Sequence, residues 1–236
     1  MLEIRNLTKK YDKVLAVDSV NLTAQPGTIS ILLGPNGAGK STMMKCIIGV
    51  LRYEGDILIC GKDNKTQEAR KLLAYVPEVP ALYDLLTPME HMEFIAKAYD
   101  VGGWEEKASA LIKRFDLAAH TDKAGKELSK GMSQKVSICC ALLIDSEVIL
   151  FDEPMIGLDP AAIRELKKVF AELKAQGKAV LISTHIIDSI KEMWDTAYIM
   201  HRGKVEKTLN SGEVEPGSLE NIFFEVTGEN EEAEAL

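Results

Sequence analysis

Cysteine is scarce in this chain, four among 236 residues, and no two stand in the C-x-x-C spacing of a thiolate metal site or redox pair. Cys46, Cys60, Cys139 and Cys140 each lie in apolar surroundings, so they are expected to be core thiols in a reducing compartment. Long hydrophobic runs are missing too. The longest, Val136 to Ile144, falls far short of the roughly 20 residues that cross a bilayer as a helix. Met1-Leu2-Glu3-Ile4-Arg5 has no basic stretch leading into an apolar one, so no secretory signal is expected there. An excess of base is also lacking. The net charge of −8 argues against a broad nucleic-acid-binding surface, and no nucleic-acid partner is expected. There is no internal repeat and no low-complexity linker. These absences lead us to expect a chain that is cytoplasmic or peripheral to a membrane.

What is present is one strong motif. Gly34-Pro35-Asn36-Gly37-Ala38-Gly39-Lys40-Ser41-Thr42 fits G-x-x-x-x-G-K-[ST], the phosphate-binding loop. It follows the apolar run Ile29 to Leu33, read as a buried strand, and precedes Met43 to Ile48, read as a helix. Strand, glycine loop and helix are the context the motif requires. The glycines let several backbone N–H groups point at one anion, and the helix N-terminus adds partial positive charge. Lys40 brings a full charge to the β/γ-phosphates, and the Ser41 hydroxyl can ligate Mg²⁺.

Around this loop, β-like and helical stretches alternate. Strands are expected at Leu2–Asn6, Val20–Ala24, Asp56–Cys60, Leu73–Val76, Val148–Phe151 and Ala179–Ile182, with a hairpin at Ala197–Met200 and Val205–Leu209. From Leu82 to about Ile144 the pattern turns helical, opening with Thr87, Pro88 and Glu90 as cap, first-turn proline and capping-box partner. Two helices follow, Met89 to Tyr99 and Trp104 to Phe115, and a third is expected to bury Ile138, Ala141 and Leu142. A helix over Pro160–Gln176 and a last one over Ser218–Val226 complete the pattern. Near-continuous apolar strands joined by helices indicate a parallel sheet covered on both faces. The helical block interrupts that alternation and reads as an inserted lobe.

Two further segments carry chemistry. Val148-Ile149-Leu150-Phe151 ends in Asp152 and Glu153, at the carboxyl edge where open α/β sheets bind ligands. Asp152 is placed to hold Mg²⁺, and Glu153 can polarise a water for in-line attack on a γ-phosphate. Leu128-Ser129-Lys130-Gly131-Met132-Ser133 opens a helix whose free N–H donors and serine suit a second anion, although alone it reads as an ordinary N-cap.

With these segments in order, the chain resembles the ATP-binding cassette (ABC) ATPase family, the nucleotide-binding subunits of ABC transporters. Leu128–Met132 is similar to that family's LSGGQ signature, and Asp152–Glu153 to the end of its Walker B strand. Gly157-Leu158-Asp159-Pro160 is similar to the D-loop, Ser183-Thr184-His185 to the switch-histidine segment, and Tyr11 stands where the family stacks a ring on adenine. Two positions depart from the pattern. Lys130 and Met132 replace Gly and Gln in the signature, and Glu78 in Tyr75-Val76-Pro77-Glu78 replaces the Q-loop glutamine. Both variants resemble the bacterial ABC-2-type exporter subgroup. The plainer alternative is that Glu78 is a loop side chain facing solvent.

The resemblance implies an α/β fold: a P-loop NTPase core with a mainly parallel sheet, an N-terminal antiparallel β subdomain and an inserted α-helical subdomain. It implies one ATPase domain over 1–225, with the helical lobe at about 82–144 and an acidic, solvated tail over 226–236. It implies an ATP-hydrolysing subunit of a membrane exporter that dimerises head to tail. Each ATP, with Mg²⁺, would lie between residues 34–42 of one copy and Ser129, Gly131 and Met132 of the other. Glu78, Asp159 and Tyr11 would touch the nucleotide, Ser41, Asp152 and Glu78 the metal, and Lys40, Glu153 and His185 would carry catalysis. The partners implied are a second cassette, identical or not, and integral membrane permease subunits that receive the helical lobe. The rival reading is a soluble ABC-type ATPase of translation or DNA repair, which usually carries fused cassettes or a long coiled coil. A phosphate-loop kinase is a third, and no acceptor motif supports it.

Overall fold

Leu2, Ile4 and Leu7 are fully or almost fully buried while Arg5 and Asn6 face out, so the first strand has one dry face. In the computed structural model, which describes residues 1–191, 193–215 and 217–228, this strand, β1 (Leu2–Tyr11), pairs antiparallel with β2 (Val14–Ala24). Both run longer than the alternation predicts. Asn6 (φ 49°) and Ser19 (φ 50°) sit in the left-handed region and break the two-residue period, which hides the strands' continuation. The second sheet partner of β1 is β4 (Glu54–Ile59), followed by the short β5 (Lys62–Asp63), giving the order β2-β1-β4-β5.

The larger sheet contains β3 (Thr28–Leu33), β6 (Leu73–Val76), β7 (Val148–Asp152), β8 (Ala179–Thr184), β9 (Thr196–His201) and β10 (Lys204–Asn210), in the order β10-β9-β3-β8-β7-β6. Every neighbouring pair is parallel except β9 with β10. The expected late hairpin is therefore present, and its first strand also extends the parallel sheet. Alternate residues feed two cores. Ile29, Ile31, Leu33, Ile149, Phe151, Val180 and Ile182 pack on one side, and Leu32, Val148, Leu150 and Leu181 on the other. That two-sided burial explains their unbroken apolar sequence.

On the second side lie α1 (Lys40–Ile47) and the four-residue α2 (Gln67–Arg70). The inserted lobe consists of α3 (Pro88–Ala98), α4 (Trp104–Arg114) and α5 (Lys130–Ile144). The capping box forms as expected: Glu90 N–H donates to Thr87 Oγ1 at 3.3 Å and Thr87 N–H to Glu90 Oε2 at 2.8 Å. The face of α4 is as expected, with Ala108, Leu111, Ile112 and Phe115 buried. In α5 the expectation needs one correction. Ile138 and Ala141 are buried, but Leu142 is only half-buried and Leu143 takes the core position, about one helical turn from Cys139.

The last elements are α6 (Pro160–Ala175) and α7 (Leu219–Thr227). The latter runs to Thr227, and of the tail expected over 226–236 the residues from 229 on lie outside the described residues. A second correction concerns the thiols. Cys46 and Cys139 are buried and Cys140 half-buried, but Cys60 is exposed, held at φ 50° in the turn after β4. The topology brings β3, β8, β7 and β6 side by side, with Leu33 level with Thr184, Asp152 with Ser183, and Val76 with Phe151. Four carboxyl ends therefore converge at one edge.

Candidate functional site

The loop after β3 turns into α1 through Gly37 (φ 82°) and Gly39 (φ 108°), conformations that cost a glycine little. Gly39 gives α1 no side-chain cap, which leaves the first-turn N–H groups pointing into the loop. A cavity of about 490 Å³ opens there, lined by residues 35–42 together with Glu78, Glu153 and His185. Its volume suits a small-molecule ligand. Its floor is charged. Lys40, 6% exposed, donates to the carbonyls of Gly34 at 2.6 Å and Pro35 at 3.2 Å, and its Nζ lies 3.6 Å from Glu153 Oε1. Burial lowers the Lys40 ammonium pKa, and the carboxylates of Glu153 and Asp152 oppose that shift.

Glu153 directly follows β7 at φ 46°, a strained position for a side chain of this size, and its N–H donates to the Ser183 carbonyl at 3.0 Å. Its Oε1 is 2.8 Å from Nδ1 of His185, which lies just beyond β8. Two neighbouring strand ends thus hold a carboxylate and an imidazole in hydrogen-bond contact over the phosphate loop.

Asp152 is 1% exposed and is held by three hydroxyls. Ser41 Oγ donates to Oδ1 at 3.4 Å, Ser183 Oγ donates to the same oxygen, and Tyr75 Oη donates to Oδ2 at 3.3 Å. Burial and the Asp152 charge push the Tyr75 phenol well above its ordinary value. A serine hydroxyl beside a buried carboxylate, open toward a phosphate cradle, is a hard-oxygen donor set that fits Mg²⁺. Among the described residues no group of three or more His, Cys, Asp or Glu forms a metal cage, and Mg²⁺ bound through a substrate phosphate needs none.

The structure thus gathers Gly34 to Thr42, Asp152, Glu153, His185 and Glu78. Glu78 is exposed, but at the cavity rim, and its charge is felt by Lys40 and Tyr75. Other predicted residues stand apart. Tyr11, 43% exposed, ends β1 with its ring under the Lys9 ammonium at 4.8 Å, and the cavity wall on that side is instead Val14, Leu15 and Ala16. Ser129 is the exposed N-cap of α5, accepting from Met132 N–H at 3.3 Å, and Ser129, Gly131, Met132 and Asp159 do not line the cavity. These four belong to a second assembly. A Cβ at Gly131 would lie 2.5 Å from the Gly157 carbonyl, and the Lys130 stem packs against Gly157. Asp159 caps α6 at Ala162 N–H, 2.8 Å, and pairs with Lys135 at 2.8 Å, which holds its carboxyl below the usual range. Ser183 and Tyr75 were not expected as anchors of Asp152. Both stand in apolar strand sequences that say nothing about where a hydroxyl points.

A family model described as "ABC transporter" matches residues 17–156, more than half of the chain. The chain belongs to the ABC transporter family. This ABC protein is 35% identical to the ABC-type transporter ATP-binding protein EcsA of Bacillus subtilis (strain 168), across 98% of each chain. It is 32% identical to the SkfA peptide export ATP-binding protein SkfE of the same organism, across 89% of each. Among solved structures it is similar to the ATP-binding cassette MJ0796, a dimer bound to ADP and Pi in a post-hydrolysis state. The TM-score is 0.79 at 28% identity, over 89% of this chain and 98% of that one. The fold is the ABC ATPase fold, and the chain is an ATP-hydrolysing nucleotide-binding subunit of an ABC transporter. No helix among the described residues is long and apolar enough to cross a membrane.

Proposed function

We propose that this ABC subunit powers export by clamping ATP between two cassettes packed head to tail. The observation that carries the reading is a separation within one chain. The Lys40 cavity and the capped N-terminus at Ser129 are both suited to phosphate, yet Ser129 is exposed and outside the cavity. A second cassette brings the two together. Residues 34–42 hold the phosphates from one side, and Ser129, Gly131 and Met132 of the other copy cover the γ-phosphate. Asp159 sits at that junction, and Tyr11 stacks on the adenine. That the similar MJ0796 cassette is a dimer with ADP and Pi bound supports a paired cassette.

Within each site, Ser41, Asp152 and Glu78 are the side chains that would hold Mg²⁺. A metal held there would supply positive charge to offset the charge that develops on the phosphates. Lys40 leaves the Gly34 and Pro35 carbonyls to meet the phosphates. Glu153, released from Lys40 and oriented by His185, accepts a proton from the attacking water. Hydrolysis then removes the charge complementarity and the dimer reopens, a two-state change driven by differential binding.

The partner of the helical lobe is a membrane permease. A groove of about 430 Å³ between lobe and sheet carries Tyr83 and Phe94, 55% and 47% exposed, which suit an apolar cytoplasmic helix. The subunit would thereby sit on the cytoplasmic face of the membrane. The export name of SkfE supports the direction. The test is Glu153→Gln with ATP and Mg²⁺. Turnover should fall at least about a hundredfold while a stable dimer accumulates in light scattering. Parental turnover, or a variant that stays monomeric with ATP bound, overturns the reading.

A further inference from the structure

Tyr75 occupies two sites at once. Tyr75 is among the residues that line the lobe groove, alongside Ala81, Ile95 and Cys140. Its hydroxyl, at the far end of a rigid side chain that packs on the α1 side of the sheet, donates to Asp152 Oδ2 at 3.3 Å. The other Asp152 oxygen is held by Ser41, on the phosphate loop, and by Ser183, beside His185. One side chain therefore joins the surface that would receive a partner to the carboxylate that faces the metal position. The bond is also slack. Hydroxyl–carboxylate bonds of full strength lie near 2.5–2.7 Å, so this one has room to tighten.

We propose that Tyr75 is a positioning residue through which the occupant of the lobe groove sets the orientation of Asp152. A side chain pressed into the groove meets the Tyr75 ring. Because the ring is stiff, a shift there moves Oη and with it the carboxylate it holds. The groove occupant thereby gains differential affinity for the state in which Asp152 is set for the metal, which is the requirement for coupling two sites. The inference rests on the reading of Asp152 as the metal-facing carboxylate and adds to it the route by which the groove reaches that residue.

The test uses the full chain and binding of ADP, measured with Mg²⁺ and with a chelator, so that it does not depend on turnover. Tyr75→Phe removes only the hydroxyl. It should leave metal-free ADP affinity unchanged and reduce the strengthening by Mg²⁺ about three- to tenfold. Ala81→Trp places an indole in the groove as a stand-in for a partner's side chain. It should shift the Mg²⁺ effect by about threefold or more in the parental chain and leave it unmoved in the Tyr75→Phe background. An unchanged Mg²⁺ effect in Tyr75→Phe, or an equal shift by Ala81→Trp in both backgrounds, overturns the proposal. If Tyr75→Phe does not melt cooperatively, Ala81→Trp alone decides, and an unmoved Mg²⁺ effect in the parental chain overturns it. Asp152→Asn separates the two levels. Loss of the Mg²⁺ effect there upholds the metal reading whatever Tyr75 does, and its persistence overturns both.

Discussion

Nζ of Lys40 lies 3.6 Å from Oε1 of Glu153, and the same oxygen lies 2.8 Å from Nδ1 of His185. The cation suited to phosphate and the carboxylate suited to water hold each other. On the proposed reading, a triphosphate in the cavity would compete for Lys40 and so free Glu153 for the attacking water. Lys40→Ala removes the buried cation. Charge-assisted hydrogen bonds contribute about 1.5–3 kcal/mol, so ATP affinity should fall at least about tenfold in calorimetry. Unchanged affinity would show that the loop amides alone bind the phosphates.

Ser129 offers a way to separate the two halves of the clamp. Aspartate caps a helix about as well as serine, so Ser129→Asp should keep α5 and the melting temperature close to parental. The same change sets a negative charge where the partner's γ-phosphate would sit. Binding of ATP to the monomer should be unaffected, and the ATP-driven dimer of Glu153→Gln should not form when Ser129→Asp is added. A persisting dimer in light scattering would place the in-trans contact elsewhere.

The phosphate loop, Asp152 and Glu153 were legible because each lies at the junction of an apolar run and a short polar motif, and both signals survive in one dimension. The capping box at Thr87 and Glu90 was legible for the same reason, as a contact within one turn. The continuation of β1 and β2 was not, because residues in the left-handed region interrupt the alternation that reveals a strand. Anchors that cross strands were also hidden. The hydroxyls of Tyr75 and Ser183 reach Asp152 across separations of 77 and 31 positions, and only the strand order β8-β7-β6 makes them neighbours. Cys60 misled because its apolar neighbours, Ile57 and Ile59, point inward while the turn that follows them turns its own side chain out.

Arg114, at the end of α4, ties the inserted lobe to α6. Its Nη1 and Nη2 donate to the two oxygens of Glu172 at 2.7 and 2.8 Å, and Nε donates to Glu165 at 2.7 Å. Hydrogen bonding to Arg114 lowers the Glu172 carboxyl. Lys168 first and Arg114 second lower that of Glu165. Because both folded values lie below the ordinary 4.5, the stabilisation is fully present above that pH. It is lost as the pH falls below 4.5 and through the depressed folded values. Arg114→Met keeps much of the aliphatic stem and removes the charge. The parental chain should therefore lose more melting temperature than Arg114→Met between pH 7 and about pH 3.5, and the two curves should converge at the acid end. Added salt should narrow the gap at pH 7, since these groups are partly exposed. Parallel pH profiles, followed by circular dichroism at low ionic strength, would show that packing rather than the Arg114 fork joins the lobe to the core.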